Sequence, residues 1–316
     1  MKQTGMSSAA DVNESSSSPN RIQVVFNRPP SVKQPHTLAE IVRATANANL
    51  ATVFDELEGL IGLHEAKKTI YEIYALMKMN QEREKHGLKM EKQVFHMVFK
   101  GNPGTGKTTV ARLFGKILRE MGILSKGHMI EVERADLVGE FIGHTAQKTR
   151  DLVKKALGGI LFIDEAYSLA RGGEKDFGKE AIDCLTKSLE DLGNEFVCII
   201  AGYNDEMDSF LELNPGMPSR FPVHITFTDY DVEELLEIAN IMAKNKEYEL
   251  SKEAIEKLRR RLVAALHDPF RENFSNARFV RNSIEKAIRV QAVRMLRITE
   301  PTRDDLVTLK YEDFAL

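Results

Sequence analysis

Short apolar runs rich in β-branched and aromatic residues recur at 94–99, 129–132, 160–163, 196–201 and 224–227, and stretches with helical spacing separate them. Runs that are apolar on both faces predict buried strands. Their alternation with helices predicts the α/β class with a mostly parallel sheet. Before the first strand the pattern turns helical from Leu38, and Ala66, Ile70, Ile73 and Met77 mark a long amphipathic helix. A break between helices is expected at Leu60-Ile61-Gly62-Leu63.

After Thr228 no further strand is expected. Asp231 and Glu234 have the spacing of a capping box ahead of Leu235, Ile238 and Met242. A second helix is expected after Ser251, and a third from Asn276 with Val280, Ile284 and Ile288 on one face. These patterns divide the chain into a flexible N-terminal tail (1–37), an α/β domain (38–228) and a small α-helical domain (229–316). The tail holds Ser15-Ser16-Ser17-Ser18-Pro19, Pro29-Pro30 and Pro35 and has too little apolar surface to offset the cost of ordering. Its apolar patch at 22–26 leaves two readings open, a loosely ordered arm or a strand added to a partner.

The first strand run leads into Gly101-Asn102-Pro103-Gly104-Thr105-Gly106-Lys107-Thr108, followed by Thr109 and a helix carrying Val110, Leu113, Phe114, Ile117, Leu118 and Met121. This is the phosphate-binding P-loop, G-x-x-x-x-G-K-[ST], in its strand–loop–helix setting. Glycines let the backbone curl around phosphate oxygens, and unpaired N–H groups at the helix start face the anion. Lys107 is expected to reach the β- and γ-phosphates, and the Thr108 hydroxyl to ligate Mg²⁺. A second cluster, Ile160-Leu161-Phe162-Ile163-Asp164-Glu165, is a buried strand ending in two carboxylates, the Walker B pattern. Asp164 would hold Mg²⁺ through its water shell, while Glu165 would polarise the attacking water.

The 316 residues are 42% hydrophobic, enough for one large domain and a smaller one. No apolar stretch suits a membrane span, and Met1-Lys2-Gln3-Thr4-Gly5 does not open a secretory signal, so the expected compartment is the cytoplasm. Cys184 and Cys198 lack C-x-x-C spacing and read as small buried hydrophobes. The eight histidines have no metal-ligand spacing, which leaves Mg²⁺ on the nucleotide as the metal inferred. A net charge of −3 provides no general attraction to nucleic acid, and Arg259-Arg260-Arg261 reads as part of a solvated helix.

The two nucleotide motifs resemble those of the AAA+ ATPases, and the resemblance extends over roughly residues 50 to 300. Glu133-Arg134-Ala135-Asp136-Leu137-Val138-Gly139-Glu140, the run from Phe162 to Gly173, and Phe279-Val280-Arg281-Asn282 are similar to the red-type Rubisco activase subfamily, most of all to its branch in endospore-forming bacteria. The resemblance implies a P-loop AAA+ domain followed by a helical lid. It implies that Ile61 and Gly62 pack on adenine and that Asn204 is the sensor-1 residue, with Tyr203 as its neighbour. Arg220 would be the arginine finger acting on a neighbouring subunit, and Arg278 sensor 2, with Arg281 one turn on as the fallback. Phe141-Ile142-Gly143 would be the pore loop that grips a polypeptide, and residues 172–176 a second, polar pore loop.

The expected function is therefore an ATP-hydrolysing homo-oligomeric ring, a hexamer, that uses ATP and Mg²⁺ to remodel a protein client in spore development. Alternatives are a Rubisco-activase-like remodeller, a DNA-acting motor, and a non-catalytic nucleotide switch. Glu165 and Arg220 count against the switch, and the charge pattern against DNA.

Overall fold

The computed structural model describes residues 38–89, 93–141, 143–171, 176–267 and 274–314. The expectations for the N-terminal arm, Ile142 and residues 172–175 lie outside the described residues.

Helices α1 (Leu38–Thr45), α2 (Ala48–Glu58) and α3 (His64–Lys85) precede a sheet of five parallel strands. These are β1 (Met97–Gly101), β2 (Met129–Val132), β3 (Ile160–Ile163), β4 (Val197–Gly202) and β5 (Val223–Phe227), in the spatial order β2-β3-β4-β1-β5. Parallel neighbours require crossovers, and α4 (Lys107–Glu120), α5 (Arg134–Leu137), α6 (His144–Ala156), α7 (Gly178–Leu192) and α8 (Asn204–Leu213) lie along them.

The pleat sorts side chains into two cores. Met97 and Phe99 of β1, Ile160 and Phe162 of β3, and Val197, Ile199 and Ala201 of β4 pack with Phe54, Ile70 and Phe114 from α2, α3 and α4. The intervening Val98, Leu161, Ile163, Cys198 and Ile200 pack with Val153, Leu185 and Phe210 from α6, α7 and α8. All four residues of β3 are buried. Burial of such side chains contributes roughly 1.5–3 kcal/mol each, which fixes the register and with it the point where Asp164 leaves the sheet.

Strands β2 and β3 coincide with their expected windows, but the first strand runs three residues later at its start. At His96 the imidazole replaces the ladder, because its Nδ1 accepts the Cys198 N–H at 3.0 Å, and regular pairing begins at Met97 with Ile199. The ladder then continues to Gly101 opposite Phe227. Strand β4 is likewise displaced by one residue, and β5 starts one residue early.

Beyond the sheet, α9 (Val232–Lys244), α10 (Lys252–Leu266), α11 (Asn276–Met295) and α12 (Arg303–Val307) surround a third core that includes Leu235, Leu258, Leu262, Val280 and Ile284. Asp231 Oδ1 accepts from Glu234 N (2.8 Å) and Glu234 Oε2 from Asp231 N (2.9 Å), completing the expected box. Ser251 caps α10 by accepting from Ala254 N at 3.1 Å. The expectation that strands end at Thr228 is corrected by a small parallel pair, β6 (Glu249–Leu250) with β7 (Thr308–Leu309); two-residue strands carry too little periodicity to be read from sequence. Arg259 pairs with Glu233 and Glu256, and Arg260 with Glu256, so two charges of the basic run are matched locally.

Cys198 is buried, whereas Cys184 is half-buried with its thiol donating to the Ala146 carbonyl (3.5 Å). The expectation of two buried cysteines is met only by Cys198. Among the described residues no helix is long and apolar enough to cross a membrane.

Candidate functional site

Parallel strands present their C-terminal ends on one edge of the sheet. There Gly101, Asp164, Glu165, Gly202 and Tyr203 open on a cavity of about 640 Å³. Leu60, Ile61 and Leu63 line it from the break between α2 and α3, and Ile238, Ile241, Met242, Arg278 and Arg281 from helices α9 and α11. The Lys67 ammonium fixes that break by donating to the carbonyls of Leu60 (2.7 Å) and Glu58 (3.1 Å).

The P-loop follows β1 with Gly101, Gly104 and Gly106 at φ 148°, 73° and 99°. A Cβ at Gly101 would stand 2.3 Å from the Phe227 carbonyl oxygen, so the loop cannot leave the sheet this way with any other residue. Thr105 is buried, and its hydroxyl donates to the Asn102 carbonyl at 2.8 Å. Lys107 opens α4, where the first N–H groups have no helical partners and the helix dipole favours an anion. Its ammonium donates to the carbonyls of Gly101 (2.6 Å) and Asn102 (2.8 Å). Burial lowers the Lys107 pKa from its ordinary value, resisted chiefly by the charge of Asp164, while the nearby Arg278 cation adds to the lowering. Thr108 and Thr109 complete this wall.

Asp164 continues β3, its N–H donating to the Val132 carbonyl at 2.9 Å. The next residue, Glu165, has φ 48°, a left-handed conformation uncommon outside glycine and frequent where a site needs it. Tyr203 lies across from these acids, its phenol pKa raised by burial and then by the charge of Glu165.

Not every expected residue meets the cavity wall. Gly62 sits behind Ile61 at φ 61°, where a Cβ would stand 2.5 Å from Glu234 Oε1. Asn102 and Thr105 likewise support the loop from behind. Asn204 is the exposed first residue of α8 and is not among the lining residues, whereas its neighbour Tyr203 is. Arg220 lies away from the cavity, with its guanidinium donating to Glu190 and to the Gly216 carbonyl. Phe141 is 63% exposed, edge-on to His144, and Gly143 at φ 80° caps the start of α6. Asp176 accepts from Arg134 at 2.6 Å.

Several residues at the site carry no motif. Ile238 and Met242 read as an ordinary apolar helix stripe, yet with Ile241 they face the cavity. Tyr230 lines it too, and its hydroxyl donates to the Thr105 carbonyl at 3.1 Å. Its position just before a capping box was the available signal.

A family model described as "ATPase family associated with various cellular activities (AAA)" matches residues 97–229, and one described as an AAA lid domain matches residues 231–316. The chain is 60% identical to Stage V sporulation protein K of Bacillus subtilis (strain 168) over 267 residues, 84% of this chain and 83% of that protein. It is 46% identical to a CfxQ homolog of Guillardia theta over 83% of this chain and 89% of that one. Identity to a chloroplastic ribulose bisphosphate carboxylase/oxygenase activase of Cyanidioschyzon merolae is 45%, again over 83% and 89%. A P-loop, a carboxylate-tipped strand and a helical lid converging on one cavity, with relatives this close across most of the chain, make it a member of the AAA family of ATPases.

Proposed function

We propose that this chain hydrolyses ATP in a homo-oligomeric ring, a hexamer, in the cytoplasm and uses the cycle to remodel a protein client in spore development. The observation that carries the reading is the convergence of Lys107, Asp164 and Glu165 from the α/β domain (38–228) with Arg278 and Arg281 from the lid (229–316) on one cavity. Those cations and the glycine-rich loop suit a triphosphate, and the apolar Ile61, Leu63, Ile238 and Met242 suit an adenine ring.

Lys107 and the N–H groups opening α4 bind the phosphates. Thr108 and Asp164 would hold Mg²⁺, whose chemistry is to neutralise charge on the phosphate oxygens. Glu165 orients and polarises the attacking water. Tyr203 lies nearest to the role expected for Asn204. Arg278 senses the γ-phosphate from the lid, and Arg220, turned away from its own cavity, serves the site of the adjoining subunit. Exposed Phe141, with Ile142 and Gly143, grips the client.

Spore development as the setting rests on the 60% relative. A Rubisco-directed remodeller is the second reading, supported by relatives at 45–46% identity. The test is phosphate release by wild type and Lys107→Ala, with particle mass measured by light scattering in ATP. ATP-dependent phosphate release from a ring-sized species, absent in Lys107→Ala, supports the proposal; a strictly monomeric protein that releases no phosphate overturns it.

A further inference from the structure

We propose that Asn276 is a positioning residue for nucleotide discrimination: its buried carboxamide joins the start of α11 to the P-loop and so sets where Arg278 stands. This inference rests on reading the cavity as an ATP site.

Asn276 is fully buried at φ 42°, a left-handed conformation that asparagine tolerates better than most residues. Burying a carboxamide is costly unless it is bonded, and here both ends are used. Oδ1 accepts from Tyr230 N at 3.0 Å. Nδ2 donates to Asp229 Oδ1 at 2.8 Å and to the Phe274 carbonyl at 3.0 Å, with the Pro103 carbonyl at 3.4 Å. Asp229 in turn accepts from Asn102 Nδ2 at 3.0 and 2.9 Å. The N–H of Ala277 donates to the Gly104 carbonyl at 3.2 Å, and the Tyr230 hydroxyl to that of Thr105 at 3.1 Å.

Four consecutive P-loop residues, Asn102 to Thr105, are thus each bonded to Asp229, Tyr230 or the first turn of α11. Arg278 lies in that same turn and lines the cavity. A long side chain amplifies any rotation of the turn that carries it. A shift of the P-loop therefore reaches the Arg278 guanidinium through hydrogen bonds, and the links from Asn102, Pro103 and Thr105 meet at Asn276, while that from Gly104 runs to Ala277 N.

The decisive comparison is among wild type, Asn276→Gly, Arg278→Ala and the double variant. Glycine keeps the left-handed backbone and removes only the carboxamide. Affinities for ATP and ADP are measured by calorimetry alongside kcat and KM. The expected result for Asn276→Gly is near-normal ADP binding with the ATP-over-ADP preference and kcat each reduced about tenfold, and no further loss when it is added to Arg278→Ala. Equal loss of ATP and ADP binding, or an undiminished effect in the Arg278→Ala background, overturns the proposal by reducing Asn276 to a structural support. If Asn276→Gly does not fold by circular dichroism, Asp229→Ala, which removes the acceptor that Asn276 and Asn102 share, is held to the same two outcomes. Wild type that binds no ATP sinks the reading of the cavity itself, whereas wild type that binds and cleaves ATP while Asn276→Gly behaves normally sinks only this inference.

Discussion

The main-chain N–H of Glu165 donates to Asp164 Oδ1 at 3.0 Å, across a turn in which Glu165 itself is left-handed. The bond holds the Asp164 carboxylate at the strand end, and the φ of 48° turns the next side chain away from the strand's alternation. Two adjacent acids are thereby given different directions, as the metal-holding and water-activating roles proposed for them require. Glu165→Gln should retain ATP affinity and lose about 10²–10⁴-fold in kcat, the range spanned by general-base catalysis. Single-turnover phosphate release together with calorimetric ATP binding checks both halves, and normal turnover would remove Glu165 from the mechanism.

How much of this was legible in the sequence follows from distance along the chain. Lys107, Asp164 and Glu165 sit in contiguous motifs, so their spacing carried the chemistry. Asn102, Asp229 and Asn276 are separated by 127 and 47 positions and meet only when the lid packs on the loop. No local pattern marks such a contact. The strand β1 illustrates the same limit: Phe95 is apolar because it packs against the first core, not because it joins the ladder. Lys100 and Gly101, which lie beyond the apolar window, do join it, opposite Thr226 and Phe227.

His96 supplies a pH dependence of stability. Its ring is 1% exposed, and burial pushes its pKa down to about 4. A folded-state value below the ordinary 6.5 means that the unfolded chain binds the proton more readily. The contribution is therefore fully present above about pH 6.5 and is lost as the pH falls towards 4, in total roughly 3 kcal/mol at 1.36 kcal/mol per unit. His96→Asn keeps an acceptor for the Cys198 N–H and should flatten the urea-unfolding free energy between pH 6.5 and 4. An unchanged slope would show that other groups govern acid unfolding.

Arg220 is held by Glu190 and the Gly216 carbonyl of its own chain, outside the cavity. If it completes a neighbour's site, Arg220→Ala and Glu165→Gln proteins should each be inactive and yet recover part of the activity when co-assembled, because mixed interfaces pair an intact arginine with an intact glutamate. Co-assembly verified by light scattering without any recovery counts against action between subunits.

Phe141 is mostly exposed and its ring meets His144 edge-on, so removing the ring should leave the fold and the cavity intact. Phe141→Ala is expected to keep basal ATP hydrolysis within about twofold, as surface substitutions away from a site usually do, and to lose client-dependent stimulation. A variant that remodels client normally removes this residue from the grip.

Gly104 lies where the P-loop meets the lid, and its φ of 73° already disfavours any side chain. A Cβ there would stand 2.4 Å from the Ser275 carbonyl oxygen and 2.9 Å from Arg278 N, both main-chain atoms that cannot swing aside as a flexible side chain would. Gly104→Ala must therefore either distort the loop or push the first turn of α11 outward, breaking the bond from Ala277 N to the Gly104 carbonyl. Either route should cost about 1–3 kcal/mol of stability, the range for backbone strain, and weaken ATP binding, since Lys107 and Arg278 lie on opposite sides of the displaced contact. Chemical denaturation and nucleotide titration of this one variant separate the two outcomes: a strained loop weakens ATP and ADP alike, whereas a displaced lid weakens ATP selectively.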